Sequence, residues 1–275
     1  MTPPNLTSHG AAPIRRLLPK VWSPQRNTHR DIDVFLPASY RRSRRRYPVV
    51  YMQDGQNLAD AHRAFAGTWN LPHAIAALAA RGLEAIFVGV PNMGPDRLRE
   101  YSPFFDLRHG GGDGDAFLAY LERTVKPLVD RRFRTRPERE ATGIFGSSMG
   151  GLISLYAFFR APDTFGYVGA MSPSLWFAGR AILSYVEKDG APPGRMYLDT
   201  GTDEGPATLR DARHLARILR RKGYEDDTLR FVEIEGGQHT EPHWAQRLVP
   251  ALEFLLGPVG SVPRRGNALR NRRPR

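Results

Sequence analysis

The chain reads as an α/β fold, a mostly parallel central sheet with helices on both faces. Three observations predict it. Short apolar runs alternate with stretches of helical periodicity through most of the sequence. Runs such as residues 48–52 and 85–90 lack polar alternation, as strands buried on both faces do. The pentapeptide Gly146-Ser147-Ser148-Met149-Gly150 joins an apolar run to a helix-like stretch at residues 152–159. That is the strand-turn-helix setting of a nucleophile elbow.

Residues 1–20 form a Pro-rich lead-in without periodicity. Residues 31–36 alternate and stop at Pro37, which predicts a strand. An arginine-rich turn follows (Arg41, Arg42, Arg44, Arg45, Arg46), then a buried strand over 48–52 that runs into the loop Asp54-Gly55-Gln56-Asn57. A helix with Pro in its first turn is expected over 72–80, and a strand over 85–90 that ends at Pro91. Residues 92–114 read as a long irregular segment, and segments of that length are usually functional or mobile. Phe117, Leu121, Val125 and Leu128 share one face of a helix over 115–130. After the elbow come strands over 165–171 and 196–199, then a helical stripe (Leu209, Ala212, Leu215, Ala216, Leu219) that stops at Gly223. The last strand covers 229–234, and Trp244, Leu248, Ala251, Leu252 and Leu255 mark the last helix. One folded domain, 21–257, is expected, with a basic disordered tail over 258–275.

At 275 residues, 41% apolar and 25% charged, the composition is that of a globular chain. The absence of Cys removes disulfides, thiolate nucleophiles and Cys-ligated metals. No apolar stretch reaches the roughly 18 residues of a membrane span, and residues 1–20 lack the apolar segment of a signal peptide. A cytoplasmic enzyme is the expectation. The net charge of +12 sits largely in the arginine-rich turn and in Arg264, Arg265, Arg270, Arg272, Arg273 and Arg275. A solvated turn and tail are expected there rather than a nucleic-acid site. No His/Asp pair shows metal-ligand spacing, so neither metal nor cofactor is expected.

The elbow makes Ser148 the candidate nucleophile, and in parallel α/β sheets its partners belong in loops that directly follow strands. Residues 199–205 offer an acid; residues 235–239 end in His239, which alone of eight histidines closes a Gly-rich loop at a strand end. Asp199, Asp203 and Glu204 are all within reach as the acid; Glu204 is chosen and Asp203 held in reserve.

At these residues the sequence resembles the esterase family of α/β-hydrolases that includes feruloyl and acetylxylan esterases, enterochelin esterases and S-formylglutathione hydrolases. The likeness covers roughly residues 30–256. It is carried by YPVVYMQDGQN at 47–57, REYSP at 99–103, GSSMGG at 146–151, and Gly236-Gly237-Gln238-His239 with Trp244. The resemblance implies Ser148 as nucleophile, His239 as base and, by way of Gly201-Thr202-Asp203, Glu204 as acid. Where many feruloyl esterases have His-Gly in the first loop, this chain has Asp54-Gly55.

The expected reaction is hydrolysis of a small acyl ester, of a sugar, phenol or siderophore, through an acyl-enzyme. Backbone N–H groups of Met149 and of Gln56 or Asn57 are the expected oxyanion donors. Trp69, Tyr101, Trp176 and Phe177 fall in loops, and two readings stay open: walls of a substrate pocket, or packing beneath their own loops. Arg97 and Arg99 either meet an anionic substrate or pair with Asp96, Glu100 or Asp106. An acyltransferase on the same residues, and a non-catalytic polyanion binder on a hydrolase scaffold, are the competing readings.

Overall fold

The computed structural model describes residues 12–64 and 66–258. Strands β1 (Ile14–Ser23), β2 (Thr28–Leu36), β3 (Val49–Met52), β4 (Ile86–Gly89), β7 (Thr142–Ser147), β8 (Tyr167–Met171), β9 (Arg195–Gly201) and β10 (Leu229–Ile234) form one eight-stranded sheet in the order β1-β2-β4-β3-β7-β8-β9-β10. The first two strands join antiparallel, and every pairing from β4 to β10 is parallel. A small hairpin, β5 (Phe105–Asp106) with β6 (Gly110–Gly111), stands apart. The helices are α1 (Leu71–Ala79), α2 (Arg97–Glu100), α3 (Gly114–Tyr120), α4 (Lys126–Arg132), α5 (Met149–Arg160), α6 (Phe177–Lys188), α7 (Pro206–Arg221) and α8 (Glu241–Leu256).

Because side chains alternate along a strand, the sheet feeds two cores. Val49, Tyr51, Ile144 and Leu198 point into the layer of α3 to α7. Val50, Met52, Phe145 and Tyr197 point into the layer of α1 and α8. The sheet is therefore covered on both faces, as the unbroken apolar runs predict.

Three departures from the expected elements have physical causes. Strand β1 falls partly inside the expected lead-in. Its sequence, IRRLLPKVWS, contains Pro19, and its register shifts between Leu18 and Val21, where Lys20 takes φ 49°. An edge strand with a bulge tolerates a proline that a central strand would not. Helices α3 and α4 are one helix interrupted by a π-turn at Leu121–Val125, just before Pro127. Proline has no N–H to donate to the preceding turn, and the wider turn accommodates the loss. Helix α6 emerges from a left-handed turn at Ala178, Gly179 and Arg180, a conformation that leaves no helical start signal in the sequence. The segment over 92–114 is more ordered than expected, holding α2 and the β5–β6 hairpin, with Gly112 N–H bonded to the Ser102 carbonyl at 2.9 Å.

No helix among the described residues is long and apolar enough to cross a membrane. The arginines of residues 264–275 lie outside the described residues.

Candidate active site

The turn from β7 to α5 puts Ser148 at φ 55°, ψ −125°, a conformation that costs a residue with a side chain on the order of 1–3 kcal/mol. The glycines around it explain how the turn closes. A Cβ on Gly146 would lie 2.5 Å from the Gly150 backbone, and one on Gly150 would lie 2.9 Å from Gln53 Cβ. Ser148 N–H donates to the Met171 carbonyl, and Ser174 N–H donates to the Ser148 carbonyl, each at 3.0 Å. The strained residue is thus held from both sides, and its hydroxyl is left half-buried at the carboxyl end of the sheet.

His239 Nε2 lies 2.9 Å from Ser148 Oγ, and His239 Nδ1 lies 2.7 Å from Glu204 Oε2. The loops that carry these residues are stitched together. Gly201 approaches Gly237 so closely that a Cβ would sit 2.0 Å from its carbonyl oxygen. Asp203 N–H donates to that same carbonyl at 3.1 Å, and Gly236 N–H donates to Thr202 Oγ1 at 2.9 Å. Asp203 itself is exposed, and the carboxylate partner of the imidazole is Glu204. The ring also stands edge-on to Trp244, with centroids 4.9 Å apart.

Behind Glu204 lies a buried polar network. Its Oε1 accepts from Ser172 Oγ at 2.5 Å and from Gly201 N–H at 2.8 Å. Ser172 Oγ in turn receives Trp244 Nε1 at 3.1 Å and Arg247 Nη2 at 3.2 Å. Arg247 Nη1 donates to Asp199 Oδ1 at 3.1 Å, and Tyr197 donates its hydroxyl to Asp199 Oδ2 at 3.1 Å. Burial pushes the Glu204 carboxyl up, but the hydrogen bonds from His239, Ser172 and the Gly201 amide outweigh it and hold it below the usual carboxylate range. Asp199 goes the other way: burial dominates and pushes it up to about 6 against the opposing pull of Arg247. Ser172, Ser174 and Arg247 are the residues that sequence reasoning missed. Ser172 and Ser174 follow β8 as Ser148 follows β7, and Ser174 Oγ is 3.2 Å from Ser148 Oγ. Their position at a strand exit was the available signal.

Of the expected oxyanion donors, Met149 is the first residue of α5, where helix N–H groups have no intrahelical acceptor. Asn57 N–H is committed to the Asp54 carbonyl at 2.8 Å, which leaves Gln56 as the candidate from that loop. The loop is pinned by Asp54, itself at φ 53°. Its carboxylate takes Arg97 Nε and Nη2, each at 2.8 Å, and Asn92 Nδ2 at 2.6 Å. Arg97 therefore pairs with Asp54 rather than with its sequence neighbours, and Arg99 pairs with Asp113 at 2.8 Å.

Among the four loop aromatics, Trp69, Tyr101 and Phe177 are buried. Trp69 packs between Phe145 and Trp244, and the Tyr101 hydroxyl accepts the Asp54 N–H at 3.0 Å. Trp176 is 47% exposed, two residues beyond Ser174. No group of His, Asp and Glu able to hold a metal occurs among the described residues.

A serine in a strained strand-to-helix turn, bonded to a histidine carried by the exit of the last strand of such a sheet, defines the α/β-hydrolase class. Residues 23–255 match the model of the family described as "Putative esterase". The chain belongs to that family of carboxylic-ester hydrolases. It is 27% identical over 249 residues to the uncharacterized protein YbbA of Bacillus subtilis, covering 83% of this chain and 93% of that protein. It is 30% identical over 163 residues to the ferri-bacillibactin esterase BesA of Bacillus subtilis, covering 55% of this chain and 54% of that one. Among solved structures, the enterobactin esterase FES of Shigella flexneri in the presence of enterobactin superposes with a TM-score of 0.73 at 21% identity, over 93% of this chain and 62% of that chain.

Proposed function

We propose that the chain hydrolyses a siderophore or phenolic ester through an acyl-enzyme on Ser148, with His239 as base and Glu204 as the carboxylate behind it. The observation that carries this reading is the unbroken line of hydrogen bonds from Ser148 Oγ through His239 to Glu204. His239 takes the Ser148 proton as Oγ attacks the ester carbonyl, and the imidazolium is balanced by a carboxylate already ionised at neutral pH. The oxyanion is met by the N–H of Met149 at the positive end of α5 and by that of Gln56. Collapse expels the alcohol, which receives the proton from His239. Water then attacks the acyl-enzyme under the same base and frees the acid. The half-buried hydroxyl and the 42% exposed imidazole leave room for water to enter.

The names of its relatives support a siderophore ester as substrate, and the exposed Trp176 ring offers an aromatic group a surface beside the nucleophile. The test is purified protein and its Ser148→Ala variant, assayed on a p-nitrophenyl ester and on a tri-catecholate siderophore lactone. Parent turnover should exceed that of the variant by roughly 10⁴-fold or more. Equal turnover, or fluorophosphonate labelling that survives the substitution, would refute Ser148 as nucleophile.

A further inference from the structure

The loop cluster at the opposite pole of the sheet holds a second site. We infer that it binds a small anion carrying several phosphates. Residues 38–46, between β2 and β3, and residues 132–134, at the end of α4, lie at the amino ends of the parallel strands, whereas Ser148 follows the carboxyl end of β7. Between them is a cavity of about 400 Å³ whose wall includes Arg16, Arg41, Arg44, Arg132 and Arg134 and no carboxylate.

The arginine-rich turn sorts its own charges. Arg45 pairs with Glu84, and Arg46 donates to the Thr135 carbonyl at 3.1 Å. Arg16, Arg41, Arg44 and Arg132 have no acidic partner among the described residues. Arg134 is built into the floor. Its Nη2 donates to the carbonyls of Tyr40 and Ser43, and its guanidinium lies 3.7 Å from the Tyr40 ring centroid. Tyr40 in turn accepts the Arg134 N–H at its hydroxyl, at 3.0 Å. The cavity wall thus carries one cation held by hydrogen bonds and four exposed ones.

Guanidinium groups gathered around one space repel each other unless an anion sits among them. Their planar forks match phosphate oxygens two at a time. A cavity of this size suits a small ligand; a nucleic-acid strand would call for an open stripe. Four unpaired cations in so small a volume call for the charge density of a polyphosphate rather than that of a tricarboxylate.

The test is titration calorimetry of the full chain with sodium tripolyphosphate at about 150 mM salt, an ionic strength that screens diffuse attraction. One-to-one binding is expected. Arg41→Gln/Arg44→Gln should weaken it roughly tenfold or more, with p-nitrophenyl ester turnover unchanged. Arg123→Gln/Arg217→Gln removes the same charge from exposed positions elsewhere and should leave the affinity intact. Should the first pair fail to fold, as judged by circular dichroism, Arg132→Gln takes its place. Equal loss in the control pair, citrate binding as tightly as tripolyphosphate, displacement of tripolyphosphate by a short RNA at lower concentration, or no binding heat would each overturn the assignment.

Discussion

Two buried carboxylates flank Ser148, one on each side of the elbow, and they are dressed differently. Asp54 has both oxygens occupied by Arg97 and Asn92, and its own N–H is capped by Tyr101. Glu204 has one oxygen taken up by Ser172 and the Gly201 amide, while the other faces His239 alone. The first is a closed knot that fixes a loop. The second is fixed at one oxygen so that the other can work on an imidazole. A carboxylate's role at this pole follows from which of its lone pairs the fold leaves over.

The sharpest break of that comparison is Glu204→Gln, which keeps the shape and removes the charge behind the imidazolium. A fall in kcat of about 10³- to 10⁴-fold is expected, against less than about twofold for Asp203→Asn, whose side chain is exposed and off the line. Steady-state kinetics on a p-nitrophenyl ester decide it; comparable losses in the two variants would reopen the choice of acid. Asp54→Asn comes next. It leaves the Arg97 guanidinium without its charge partner and loosens the loop that carries Gln56 N–H, so kcat and the rate of fluorophosphonate labelling should fall together by roughly 10- to 100-fold, short of losing an oxyanion donor outright. A variant with parental kinetics would show that the first loop needs no such anchor.

The contrast also explains what was legible in the sequence. Ser148 and His239 could be read because each sits at the exit of a recognisable strand, in a local pattern that strand polarity alone places at one end of the sheet. Glu204 was harder, since three acids lie within residues 199–204 at the end of β9 and only the stitching of Gly201 to Gly237 sets one beside the ring. The knots were not legible at all. Arg97 meets Asp54 from 43 positions away and Arg247 meets Ser172 from 75, so local spacing pointed Arg97 at its neighbours instead. For Trp69, Tyr101 and Phe177 the sequence left pocket wall and loop packing both open, and the structure buries all three. Strand β1 hid behind Pro19 and its exposed arginines, which only an edge position tolerates.

A smaller effect than that of Asp54→Asn should come from Ser172→Ala, and it sharpens the comparison most finely. A hydroxyl has one proton and two lone pairs. Trp244 Nε1 and Arg247 Nη2 occupy the lone pairs of Ser172 Oγ. Its proton therefore has to go to Glu204 Oε1, so this serine is always a donor toward the carboxylate. Removing it takes away one of the interactions that hold the Glu204 carboxyl low, against the burial that pushes it up. The folded-state value of the Glu204 carboxyl rises. A carboxylate lowered on folding contributes stability above its unfolded value of about 4.3, and that contribution disappears as pH falls through the folded value. The stability deficit of Ser172→Ala, measured by urea denaturation, should thus be largest near neutral pH and narrow on acidification. Its expected size is about 1–3 kcal/mol, the cost of two buried donors losing their acceptor, with kcat at neutral pH reduced roughly three- to tenfold by the less firmly held carboxylate. A pH-independent deficit would mean that Ser172 supports only Trp244 and Arg247, and that Glu204 keeps its place without it.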